Sequence, residues 1–184
     1  MSKYLLGFFC TAAMVIFALP VRAGDDVVSA VHGTVTKVDS GSKVIVVKAK
    51  DGTEHTIHYA DKTAVHGADA TATGAKDSYK GVKEGSEVVV HYTEKGTEKT
   101  GVEIDRVGKD GVKTVDGTVE KVGEGGKTVV VKGADGTEHT FRVAGHDTAK
   151  SAEEIGKGTD KGAKVTVYYT ESAGKKVAHF FEKI

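Results

Sequence analysis

Eight histidines are the residues of this 184-residue chain best suited to chemistry: His32, His55, His58, His66, His91, His139, His146 and His179. A neutral imidazole is a good ligand for Zn2+, Cu2+ or Ni2+, and a carboxylate such as Glu54 could help complete a shell. Their spacing works against a dedicated site. His55 and His58 stand three apart in a segment that reads as a strand, so they face opposite ways. His58 and His91 both read as outward, on strands that are not neighbours in the expected order. His32, His55 and His66 could gather at one end of a domain, and they are the candidate metal ligands. Later in the chain, Asp116 and Lys150 stand where His32 and His66 would recur. The expectation is weak Zn2+ or Cu2+ binding without fixed stoichiometry, and no cofactor.

Other chemistries find less support. Gly123-Glu-Gly-Gly-Lys-Thr128 imitates the end of a phosphate-binding loop. That loop needs another Gly where Lys121 stands, and it needs a following helix, whereas a strand pattern follows here. Tyr92-Thr-Glu94 recurs as Tyr169-Thr-Glu171, which reads as an inward Tyr with a rim partner for its hydroxyl. There is no nucleophile elbow and no recognisable Ser-His-Asp order. The expectation is a protein that is not an enzyme.

The first 23 residues read as a secretory signal peptide. Lys3 gives a basic start, Leu5 to Leu19 is an apolar run, Pro20 breaks it, and Val21-Arg22-Ala23 supplies small residues at the cleavage positions. The run is short for a membrane span of about 20 residues. Cleavage after Ala23 leaves no expected span and places the protein in the periplasm or outside the cell. Residues 24–184 contain no Cys, Met, Trp, Pro, Leu, Asn or Gln. Disulfides, thiol catalysis and thiolate or thioether metal sites are therefore excluded. In that stretch 24 Lys and Arg face 26 Asp and Glu, so no basic patch dominates and nucleic acid is not an expected partner.

The elements that must position these residues are written twice. Residues 32–60 align without a gap on residues 116–144, with 17 of 29 positions identical, and Asp51-Gly-Thr-Glu-His-Thr56 recurs unchanged as Asp135-Gly-Thr-Glu-His-Thr140. A second ungapped stretch pairs Gly85–Val107 with Gly162–Ile184. The apolar residues are mostly Val with some Ile, Tyr and Phe, a β-branched set that favours sheet. Each copy reads as five strands, Gly33–Val38, Lys43–Lys48, Glu54–Tyr59, Glu87–Thr93 and Lys99–Val107 in the first. A short helix or loop separates strands three and four, with a helix start expected at Ser151. That order predicts an all-β chain, a tandem duplication of a small five-stranded Greek-key barrel of the oligonucleotide/oligosaccharide-binding type. The expected organisation is 1–23 signal peptide, 24–109 first barrel and 110–184 second barrel.

Comparing the copies assigns faces. Val88/Val165, Val90/Val167 and Tyr92/Tyr169 agree and alternate, so they are expected inside. Val89/Thr166 and His91/Tyr168 differ, so they are expected toward solvent. The linker Gly108-Lys-Asp-Gly111 has no Pro, and Val112 and Val115 just beyond it leave room for the barrels to pack on each other.

Gly33-Thr-Val-Thr-Lys-Val-Asp39, Val44-Ile-Val-Val47 and Gly85-Ser-Glu-Val-Val-Val90 resemble exported bacterial proteins built from small-barrel repeats of unknown function. The same strand rhythm is similar to the periplasmic copper chaperone of copper and silver efflux systems. That family holds its ion with Met, His and Trp, and residues 24–184 have neither Met nor Trp, so the resemblance implies fold and compartment and no ligand. The reading for function is an exported, non-catalytic accessory, binding or scaffolding protein at the cell envelope. Its partner would be another envelope protein or an envelope polymer. The alternative is a histidine-based metal buffer or carrier.

Overall fold

The computed structural model describes residues 27–67, 78–108, 111–144 and 155–184. The signal segment, the middle of the linker, His146 and the helix start expected at Ser151 lie outside the described residues. The first copy forms β1 (Val28–Asp39), β2 (Val44–Ala49), β3 (Glu54–His58), β4 (Ala64–His66), β5 (Ser78–Tyr79), β6 (Val82–Lys83), β7 (Glu87–Lys95) and β8 (Glu98–Arg106). The second forms β9 (Lys113–Val122), β10 (Thr128–Gly133), β11 (Glu138–Val143), β12 (Lys164–Ser172) and β13 (Lys175–Lys183). The strand order is β3-β2-β1-β7-β8, with β3 returning to β8 through the parallel pair His58 and Thr100. The second copy closes as β10-β11-β13-β12-β9, with β11 and β13 parallel. These are two closed five-stranded barrels in tandem.

The repeated sequence produces the repeated fold position by position. Val35, Ile45, Val47, Ile57, Val88, Val90 and Ile104 fill the first core, and Val119, Val129, Val131, Phe141, Val165, Val167 and Phe181 fill the second. Each Asp-Gly turn is built alike. Asp51 accepts from the Thr53 amide at 2.8 Å and Asp135 from the Thr137 amide at 2.9 Å, while Gly52 and Gly136 take φ of 87° and 83°. At Gly33 an added Cβ would run into the carbonyl of Lys48, and at Gly117 into that of Lys132, so both strands cross where only glycine fits.

Two bulges are also shared. Thr36 in β1 and Glu120 in β9 are unpaired extra residues, as are Val102 in β8 and His179 in β13. A bulge re-aims the side chains around it.

Two expectations need correction. The connection between the third and fourth long strands of the first copy contains short strands among its described residues. β4 pairs with β8, and the β5–β6 hairpin plugs the barrel end with Tyr79 stacked on Tyr59 at 3.8 Å. In the second copy Ile155 takes the plugging position. The solvent face assigned by comparing copies is wrong at three of four positions. Val89, His91 and Tyr168 are buried, and Thr166 is half-buried. The alternation itself is right, but the outward face of each fourth strand is covered by the other barrel. Val89, Val112 and Tyr168 form a third apolar cluster there, joined by Ala30, Val107 and Phe180. Positions that face a non-identical neighbour have reason to differ, just as solvent positions do.

Candidate metal centre

A polar cluster adjoins this apolar contact. Four of its members lie on the outside of the first barrel. His91 sits on β7, cross-strand from Glu103 on β8. Asp105 lies two residues along β8, on the same face. The short β4 runs parallel to β8 and sets His66 beside Asp105. The fifth member, His179, comes from the second barrel, where it is the bulged residue of β13.

Asp105 is the hub. Its Oδ2 lies 3.1 Å from His179 Nδ1 and 3.6 Å from His91 Nε2. Its Oδ1 lies 3.0 Å from His66 Nδ1, which is also 2.7 Å from Glu103 Oε1. Asp105 and His91 are wholly buried, and His179 is 7% exposed. Neither Asp105 Oδ2 nor His179 Nδ1 has an aligned hydrogen bond, although the two atoms face each other. His179 Nε2 sits 2.9 Å from the Thr170 hydroxyl. The ring tautomer decides the contact: a proton on Nδ1 is given to Asp105, while a proton given by Nε2 to Thr170 leaves the Nδ1 lone pair toward the carboxylate. Two lone pairs at that distance need a proton or a cation between them.

The separations suit a metal ion. Donors 2.0–2.1 Å from a tetrahedral ion stand about 3.3 Å apart along each edge, and 3.1 and 3.6 Å bracket that value. Two imidazoles and one carboxylate form a set for borderline divalent ions. Within the described residues, one ligand atom from each of His91, Asp105 and His179 lies within 4.8 Å of the others, and the same holds for His66, Glu103 and Asp105.

The electrostatics also suit a cation. Burial pushes the Asp105 pKa up, but His179, His91 and His66 outweigh it and hold the carboxyl below its ordinary value. Asp105 therefore stays ionised. Burial lowers the His66 pKa, yet the hydrogen bond to Asp105 and the charges of Glu103 and Asp105 reverse this and raise it. The cluster sets an ionised carboxylate among imidazoles, and the raised His66 pKa favours a proton on its exposed rim.

The structure does not bring the three sequence-derived candidates together. Only His66 joins the cluster. His32 lies elsewhere between the barrels, 2.9 Å from Glu87 and 3.6 Å from Glu182, with its ring stacked on Tyr168 at 4.1 Å. His55 has the Lys99 ammonium 3.0 Å from its Nδ1. Burial and that positive charge lower its pKa, and a cation there would meet like charge. The second copy repeats this arrangement, with Lys176 2.7 Å from His139, so it belongs to the barrel and not to a metal site.

Strand parity within one copy does not single out His91, His179, Glu103 and Asp105 as a set. Parity pointed His91 outward correctly, but it carried no information that a second barrel would bring His179 to it. The copies held one signal. His91 and His179 both stand where the other copy has a non-ligand, Tyr168 and Val102.

No protein-family model matches the chain, and neither does any curated protein. Among solved structures, it is similar to silver(I)-bound CusF, with 16% identity and a TM-score of 0.32 over 43% of this chain and 96% of that one. A silver(I) complex of residues 10–88 of CusF from Escherichia coli gives 16% identity and a TM-score of 0.33, over 44% of this chain and 92% of that one.

Proposed function

We propose that this chain is an exported, non-catalytic protein that holds a divalent transition-metal ion between its two barrels. The observation that carries the reading is the buried trio His91, Asp105 and His179, whose donor atoms face one another without aligned hydrogen bonds at Asp105 Oδ2 and His179 Nδ1. Export is supported by the basic, apolar and small-residue pattern of residues 1–23. A periplasmic or extracellular buffer or carrier is the role that fits.

The donor set favours Zn2+, Cu2+ or Ni2+. Cu+ and Ag+ prefer sulfur, and residues 24–184 contain none. Because His179 belongs to one barrel and His91 and Asp105 to the other, ion occupancy is tied to barrel packing. Release requires the contact to loosen, which suits retention over turnover. The alternative, a scaffolding role toward another envelope protein or an envelope polymer, would use the exposed faces and the segment between strands three and four; part of the outward strand faces is taken by the neighbouring barrel.

Calorimetric titration of the metal-free exported protein tests the reading. The expected result is one submicromolar equivalent of Zn2+ or Cu2+, lost in His91→Ala and in His179→Ala and kept in His58→Ala. A tight ion adds about 4 kcal/mol of stability at a thousandfold excess over its dissociation constant. Weak binding, or tight binding untouched by the first two substitutions, sinks it.

A further inference from the structure

We infer that the centre takes two divalent ions, with the Asp105 carboxylate bridging them. This rests on the proposed inner site and adds an outer one on its solvent side, formed by His66, Glu103 and Asp105.

The two oxygens of Asp105 serve different sets. Oδ2 faces His91 and His179, which are buried, while Oδ1 faces His66, whose side chain is 57% exposed. His66 Nδ1 stands 2.7 Å from Glu103 Oε1 and 3.0 Å from Asp105 Oδ1. One imidazole proton cannot point well at two carboxylate oxygens at once. A cation that replaces the proton takes all three as ligands once the oxygens move out from hydrogen-bond distance toward an edge of about 3.3 Å. A carboxylate that binds one ion through each oxygen holds them about 3.5–4 Å apart, the spacing of two-metal sites.

Charge makes the second ion the weaker of the two, because it joins a set whose acidic charge the first has already neutralised. Asp105 and Glu103 place two carboxylates against three imidazoles, so a first divalent ion neutralises the acidic charge. The inner set offers two imidazoles and full burial, so it fills first and binds more tightly. The outer set offers one imidazole and an exposed flank, where water completes the shell. The outer ion is therefore the exchangeable one. Since the inner donors are buried, the outer set is also the natural stage on which an arriving ion sheds water before it reaches the inner set.

The rival role for His66 is to orient Asp105 through a hydrogen bond, with no ion of its own. Cu2+ titration of the full exported protein, followed by electron paramagnetic resonance, separates the two. The expected result is two equivalents, the second weaker. On the second addition the signal per copper should fall and a half-field transition of a coupled pair should appear. His66→Ala and Glu103→Gln should each bind one equivalent and show only an uncoupled spectrum, with circular dichroism confirming the fold. One equivalent in the unmodified protein overturns the inference and leaves the inner site standing. Two uncoupled equivalents, or a coupled pair that survives both substitutions, also overturn it. No tight equivalent at all removes the inner site with it.

Discussion

Asp105 Oδ2 on the first barrel faces His179 Nδ1 on the second across 3.1 Å. The relationship runs one way only. The position matching Asp105 in the second copy is Glu182, which lies 3.6 Å from His32 and 3.3 Å from Lys50. The position matching His179 in the first copy is Val102. Duplication made two barrels, but the contact between them is asymmetric, so among the described residues this cluster has no counterpart with the copies exchanged. The β13 bulge at His179 lets that side chain sit at the contact while Ala178 and Phe181 remain in the second core.

Tyr168 is a main apolar support of this contact. It is buried, stacks on His32 at 4.1 Å and lies 6.0 Å from Phe180. Replacing it with Ala should cost about 3 kcal/mol through lost burial and a cavity, read as a lower urea midpoint of the metal-free protein. A change under about 0.5 kcal/mol, the level of an ordinary surface site, would show that the barrels do not depend on each other through Tyr168.

Within the barrels, Val90 and Val167 occupy matching positions and are fully buried. Val90→Ala and Val167→Ala should each destabilise by about 1–3 kcal/mol. Similar losses at both positions are expected from equivalent cores. A large loss at one and none at the other contradicts the equivalence.

The pH response of the metal-free protein follows from His66 and Asp105. The folded-state pKa of His66 is raised, so its contribution to stability is full below the unfolded value of about 6.5 and is lost as pH rises through the raised folded value. Asp105 has a lowered pKa. Its contribution is present above about 3.9 and is lost as pH falls through the lowered value. Titration by nuclear magnetic resonance should therefore place the His66 midpoint above that of an unstructured histidine, and Asp105→Asn should bring it down. A His66 midpoint that ignores Asp105→Asn removes the link between them.

Processing gives an independent check on the compartment. The intact mass of the exported protein should match a chain starting at Gly24. An uncleaved form as the main species contradicts the signal-peptide reading.

Much of the fold was legible because it rests on local, repeated signals. The Asp51-Gly52 and Asp135-Gly136 turns, the alternation around Val88-Val89-Val90 and the ungapped copies define strands and inward faces without reference to anything distant. The centre was not legible for the converse reason. His91 and His179 lie far apart in sequence and on different barrels, and only the packing of one copy against the other makes them neighbours. His66 stands out by its residue type, but its strand reads as part of a loop because a three-residue run such as Ala64–His66 carries no periodicity of its own. That run becomes a strand by pairing with β8. The bulge at His179 is likewise set by how β13 pairs with β12, which no pattern in the strand announces.

The account stands on an ion held between the barrels, and anomalous diffraction from crystals of the protein loaded with one equivalent of Zn2+ tests that directly. The predicted result is one anomalous peak within about 2.0–2.2 Å of His91 Nε2, Asp105 Oδ2 and His179 Nδ1. A peak on the exposed His58, at the His55–Lys99 or His139–Lys176 pairs, or at His32, with none at Asp105, would contradict it.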